Sequence, residues 1–111
     1  MRDNEIMILP RAHTQEDQFA SAVAAVERRL APNVLRIRYD LEDDWMGEPA
    51  VFFKVILPDA VTELEHPSEI TKWVQREIVQ EIEPMEQWGV WPFFRYKTQS
   101  EQAHRNDPAW A

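Results

Sequence analysis

The chain contains only two glycines, and each lies inside one of two similar aromatic blocks. The first block reads Trp45-Met46-Gly47-Glu48-Pro49-Ala50-Val51-Phe52-Phe53-Lys54, and the second reads Trp88-Gly89-Val90-Trp91-Pro92-Phe93-Phe94-Arg95-Tyr96-Lys97. Glycine enters left-handed backbone angles without the Cβ clash that other residues suffer, so sharp turns are easiest at these two points. In both blocks the glycine is followed by a proline, a Phe-Phe pair and a cation, which reads as a turn feeding an aromatic strand. Any fold of this chain has to be organised around those two turns and the strands after them.

The 111 residues form one domain, long enough to bury a core without covalent staples. Hydrophobic residues make up 44% and aromatics 11%, a globular rather than a disordered composition. The absence of cysteine excludes disulfides, a thiolate nucleophile and Cys-ligated zinc, and makes a cytoplasmic address the natural expectation. The only early apolar run, Ile6 to Leu9, is far short of the ~20 residues of a membrane span, so no membrane partner is expected.

Net charge is −8, which opposes nonspecific attraction to nucleic acid or anionic lipid. The charge is unevenly spread. Across the three expected strands the bases are Arg36, Arg38, Lys54, Arg95 and Lys97, and the only acid is Asp40. The sheet is therefore expected to be basic within an acidic body.

Residues 1–13 read as an N-terminal arm or, through Ile6 to Leu9, a short edge strand. An α+β domain follows over 14–98. Thr14 as N-cap, with Glu16 and Asp17 in the first turn, opens a helix whose apolar stripe is Phe19, Val23, Val26 and Leu30. Val34 to Tyr39 alternates as a half-buried strand, and Ala50 to Leu57 forms a second, joined to it by a short acidic loop as an antiparallel hairpin. Pro67 opens a second helix with Ile70, Trp73, Val74, Ile78 and Ile82 on one stripe, and Pro84 closes it. Gly89 then turns the chain into a third strand, Val90 to Lys97, where Pro92 demands an edge or a bulge. Residues 99–111 read as a polar, loosely held C-terminal tail with an isolated Trp110.

The order predicts an α+β two-layer sandwich with two helices on one face of an antiparallel sheet. The topology is α-β-β-α-β, or ferredoxin-like β-α-β-β-α-β if the first apolar run is a strand. Alternation splits each Phe pair. Leu35, Ile37, Tyr39, Val51, Phe53, Val55, Leu57, Val90, Phe94 and Tyr96 are assigned to the helix-covered face. Arg36, Arg38, Phe52, Lys54, Ile56, Trp91, Phe93, Arg95 and Lys97 are assigned to the other. A solvated sheet face should be small and polar. This one mixes large apolar side chains with cations, so something must cover it or bind it.

The candidate partner-binding residues are thus Arg36, Arg38, Phe52, Lys54, Trp91, Phe93, Arg95 and Lys97. The plainest occupants are a second copy in a homodimer, the N-terminal arm, or the tail through Trp110. A protein partner is the expected ligand class. The alternative is single-stranded RNA stacked on the aromatics, although Ala50-Val51-Phe52-Phe53-Lys54-Val55 lacks the glycines and the second outward aromatic of an RNA-recognition strand.

A third alternative is a metal-dependent hydrolase using the acidic loop, with Asp43 and Asp44 as oxygen ligands; the spacing is not that of an EF-hand. His13, His66 and His104 are scattered, and Ser21, Ser68 and Ser100 have no nucleophile-elbow context. Two glycines placed in these blocks cannot build a phosphate loop. No cofactor or catalytic residue is expected.

The stretch from Arg36-Ile37-Arg38-Tyr39 through Asp44-Trp45, Gly47 and Pro49-Ala50-Val51-Phe52-Phe53 to Trp88-Gly89-Val90 and Pro92-Phe93-Phe94 resembles a group of small uncharacterised bacterial proteins over residues 34–101. That resemblance implies no activity, cofactor or site residue. It implies a regulatory partner role of the kind encoded beside toxin–antitoxin or defence loci.

Overall fold

A computed structural model describes residues 9–111. A short helix α1 (Arg11–Thr14) precedes the long helix α2 (Glu16–Leu30). Strands β1 (Arg36–Asp43) and β2 (Pro49–Leu57) come next, then a 3-10 turn (Asp59–Glu63) and helix α3 (Pro67–Ile82). Helix α4 (Pro84–Trp88) leads into β3 (Trp91–Thr98), followed by helix α5 (Gln99–Arg105) and a 3-10 turn (Pro108–Trp110). The expected strand at Ile6 to Leu9 lies outside the described residues except for its last position.

The fold is α+β, but the sheet is mixed rather than antiparallel. Its order is β1-β2-β3, with β1 antiparallel to β2 and β3 parallel to it. The reason is the connection: α3 carries the chain back across one face, so β3 must re-enter in the direction of β2. The parallel pairing runs from Ala50 opposite Trp91 to Leu57 opposite Thr98 without interruption. A ferredoxin-like split would need another strand between these two, and the described strands do not make that order. As Pro92 requires, β3 lies at an edge among the described strands.

Both long helices pack on the face predicted for them. Phe19, Val23, Val26 and Leu30 from α2 and Val74, Ile78 and Ile82 from α3 are buried against Ile37, Val51, Phe53, Val55 and Leu57. Phe19 lies edge-on to Tyr39 at 4.9 Å and to Trp88 at 5.2 Å, while Phe53 and Phe94 stack at 5.2 Å. Such pairs add specificity to the area they bury. The exposed edge of β1 is managed by α2: Glu27 Oε2 accepts the Ile37 N–H at 2.8 Å, blunting a free backbone donor.

Several boundaries differ from expectation. Thr14 does not cap α2; it ends α1, and Gln15 at φ −127° and ψ 47° breaks the chain between the two helices. β1 runs on to Asp43, because Asp40, Leu41 and Glu42 still pair with Phe52, Val51 and Ala50. The strands therefore carry three acids (Asp40, Glu42, Asp43) against five bases, and the sheet is less basic than its sequence suggested. Leu35, expected inward, precedes β1, is 40% exposed, and lines a hollow with Ile56 and Ala103 on the outer face. Residues 99–111, expected to be loosely held, form α5 and a closing turn in which Trp110 is only 3% exposed.

The two glycine turns are real but unlike. Gly47 (φ +79°) sits in the open hairpin loop, where its N–H donates to Asp44 O at 3.0 Å. Gly89 (φ +71°) caps α4, where the Gly89 N–H reaches Met85 O and the Val90 N–H reaches Pro84 O. A Cβ at Gly89 would meet Pro10 Cβ at 3.4 Å, whereas one at Gly47 would meet nothing within 4 Å. Gly47→Ala and Gly89→Ala should each cost about 1 kcal/mol in denaturant unfolding from the left-handed backbone alone. Gly47→Asn should cost less than Gly47→Ala, because asparagine tolerates that conformation. Equal losses for the two substitutions at residue 47 would contradict the backbone explanation.

Tyr39 and Tyr96 are the only tyrosines of the chain, and burial pushes both hydroxyls from 10.0 up to about 12. For Tyr39 the hydrogen bond to Glu16 at 3.1 Å adds to the effect. Tyr96 donates to Thr71 O at 3.0 Å. Both stay neutral in the fold at a pH where an unfolded chain ionises. Their contribution is intact below pH 10 and is lost as pH rises from 10.0 towards about 12. Tyr96→Phe should cost about 1 kcal/mol at neutral pH and weaken the alkaline pH dependence of stability, as followed by circular dichroism.

Candidate functional site

Pairing register sorts the outer face of the sheet into four cross-strand rows. From the hairpin end they are Glu42, Ala50 and Trp91; Asp40, Phe52 and Phe93; Arg38, Lys54 and Arg95; and Arg36, Ile56 and Lys97. All eight residues expected to bind a partner lie on this one face. The rows separate an aromatic end from a cationic end, a division invisible in the sequence because each strand contributes to both.

The cationic end is occupied by the chain itself. Thr98 begins α5 with a capping box: Glu101 N–H donates to Thr98 Oγ1 at 3.3 Å and Thr98 N–H donates to Glu101 Oε1 at 2.7 Å. Asp59, beyond the end of β2, accepts the Ser100 N–H at 2.9 Å and the Ser100 hydroxyl. After α5 the chain turns at Asn106 and lays Asp107 to Ala111 over the strands. Lys54 Nζ donates to Ala109 O at 3.1 Å and also pairs with Asp40. Lys97 Nζ lies 4.5 Å from the centre of the Trp110 ring and 3.8 Å from Asp107 Oδ2. Arg36 and Arg38 donate to the Ala111 main-chain oxygen at 2.9 and 3.1 Å.

Among the described residues the aromatic end is open. Phe52 and Phe93 stack at 5.0 Å with 16° between their planes, and Trp45 leans on Phe93 at 5.2 Å. Trp45 is 78% exposed, Met46 76% and Trp91 46%, so the loop and the start of β3 present large apolar side chains to solvent beside the Phe pair. Between this patch and the folded-back segment runs an open groove of about 690 Å³, lined by Phe52, Lys54, Arg95 and Arg105 but also by Asp40, Glu42 and Asp107.

Of the acids that suggested a metal site, Asp44 has other work. Asp44 Oδ1 accepts the N–H groups of Met46 at 2.8 Å and Glu48 at 2.9 Å, which shapes the hairpin turn. Asp43 pairs with Pro49 at the end of β1. Among the described residues no group of three or more His, Cys, Asp or Glu side chains lies close enough to hold a metal ion. No helix of the described residues is long and apolar enough to cross a membrane.

The contributors not singled out from the sequence as partner-binding include Trp45, Asp107 and Arg105. A signal for the folding-back was present, since Thr98-Gln99-Ser100-Glu101 is a capping-box sequence at the end of a strand. Trp45 gave no such sign, because its place over Phe93 depends on how the hairpin bends.

No protein-family model, curated protein or solved structure matches this chain.

Hydrogen bonding to Ser100 holds the Asp59 carboxyl below its ordinary 3.8, and hydrogen bonding to Thr98 holds Glu101 below 4.5. Both carboxylates therefore favour the folded state above those values, and the benefit is lost as pH falls through and below them. Protection factors of α5 amides, corrected for the intrinsic slowing of exchange in acid, should fall on acidification before those of the β2 amides respond. Asp59→Ala should reproduce that loss of protection at neutral pH; unchanged protection in α5 would show that Asp59 does not anchor it.

Proposed function

We propose that this chain is a non-enzymatic docking or regulatory domain whose working surface is the outer face of its sheet. Its first partner on this reading is a second copy of itself. The observation that carries the proposal is the aromatic patch of Trp45, Trp91, Phe93 and Phe52, which no other described residue covers, beside the folded-back segment. Two exposed tryptophans, one leaning on the stacked Phe pair and one a row away on β3, form a patch of the kind that anchors protein interfaces, where aromatics dominate the energetics.

Charge favours a second copy as the occupant. Asp40 and Glu42 lie along β1 at one edge of the face, and Arg95 lies on β3 at the other. A two-fold axis running along the strands sets β1 of each copy towards β3 of the other, which brings the acids at the hairpin end of β1 near the partner's β3, with the aromatic patches between them. Arg36 and Arg38, on the same strand, are engaged by Ala111 O. Single-stranded RNA fits the aromatics and cations less well, because Asp40, Glu42 and Asp107 line the same groove and repel phosphate.

Sedimentation equilibrium tests the proposal. The parent chain should dimerise with a dissociation constant of about micromolar order, and Trp91→Ala or Phe93→Ala should weaken it about tenfold or more. A parent that stays monomeric at about 100 µM overturns the self-association. Steeply salt-dependent binding of a single-stranded oligoribonucleotide, lost in Trp91→Ala, would replace it with the RNA reading.

A further inference from the structure

Residues 106–111 are fastened to the sheet in the manner of a bound peptide. Strand cations read their backbone: Lys54 donates to Ala109 O, and Arg36 and Arg38 donate to Ala111 O. Their side chains make the remaining contacts, with Trp110 buried beside Lys97 and Asp107 near the same ammonium. Helix α5 is anchored separately, by its capping box and by Asp59.

Between the two, Asn106 takes the left-handed conformation at φ 51°, so the chain changes direction at one residue. The one tie back to α5 from beyond that turn is Gln102 Nε2 donating to Asp107 O at 2.7 Å, among the described residues. The segment can therefore leave the face while α5 stays folded and docked.

We propose that the cationic end of the outer face is a peptide-binding site that residues 107–111 occupy in cis. Its ligand in trans is a peptide bearing an acidic residue and, three positions later, a tryptophan. This rests on the outer face being a docking surface, and it names the chemistry that one half of that surface accepts. The site reads main-chain oxygens through Arg36, Arg38 and Lys54, an indole through Lys97, and the acidic side chain through the same lysine. Arg95 and Arg105 line the groove alongside and extend the preference to further acidic residues.

What holds the segment is one buried ring, a hydrogen bond from the buried Lys54 and a few polar contacts from more exposed side chains, whose ion pairs contribute little each. A covalently attached occupant of modest strength is displaced by a better or more concentrated peptide. It lowers the apparent affinity for that peptide by the fraction of time the site is vacant.

The experiment is an anisotropy titration of a fluorescein-labelled synthetic peptide, Asn-Asp-Pro-Ala-Trp-Ala, with the full chain and with Trp110→Ala. The variant should keep the far-ultraviolet circular dichroism of the parent and bind the peptide about tenfold or more tightly than the parent does. The same peptide with alanine in place of tryptophan should not bind. Adding Lys97→Ala to Trp110→Ala should reduce affinity about tenfold.

Equal affinity of parent and Trp110→Ala, or indifference to Lys97, overturns the site. So does unfolding of Trp110→Ala, which would make the segment a fixed part of the core. The dimer is read through Trp91 and the peptide site through Lys97. A failed titration beside a Trp91-dependent dimer removes only the peptide site, and a successful titration of a monomeric chain removes only the dimer.

Discussion

A strand with neighbours on both sides has to have both of its faces accounted for, and β2 is that strand here. From Phe53 to Leu57 every residue is buried, including Lys54. Its inner face is covered by α2 and α3. Its outer face holds Phe52, Lys54 and Ile56, which three strands alone cannot shelter from water. The rest of the molecule can be understood as ways of dealing with that outer face: α5 beside Ile56, Trp110 and Ala109 over the cations, and the aromatic stack at the hairpin end. Burying an ammonium without partners is costly, so the position of Lys54 explains why Asp40 and Ala109 O converge on it.

The same constraint divides the face into two chemistries. Where the strands end in cations, the chain returns and satisfies them with its own carbonyl oxygens, an acid and an indole. Where the strands begin in aromatics, nothing in the described residues covers them. The outward half of each aromatic block thus serves the open end through Phe52 and Phe93, while the inward half, Phe53 and Phe94, stacks in the core. The blocks resemble one another in sequence yet differ in structure at their first residue. Trp45 projects from a hairpin, whereas Trp88 is buried against Phe19 in a helical turn.

Much of this was legible in the residues. The apolar stripes of α2 and α3, the alternation of β1 and β2, the edge position forced by Pro92 and the helix stop at Pro84 all follow from local rules. Face assignment was legible too, because a period of two leaves little freedom once the hairpin is accepted. The direction of β3 was not. Whether a strand reached through a helix enters parallel or antiparallel depends on whether it pairs directly with its predecessor, and no local feature of Val90 to Lys97 encodes that choice. The behaviour of 99–111 was misjudged for a related reason. Its composition is polar, but the capping box and one tryptophan are enough to dock it when a face rich in cations is waiting.

The sequence by itself determined which side chains within the strands share a face, where the chain turns, and that one face of the sheet mixes aromatics with cations. These are consequences of backbone periodicity and of glycine and proline geometry, which act over a few residues. Only the tertiary structure decided which part of that surface is used internally. Cation to main-chain oxygen and Asp59 to Ser100 are contacts between residues 41 to 75 positions apart, and Lys97 meets the Trp110 indole only through the turn at Asn106. Each forms only after the sheet has assembled and brought its partners within reach.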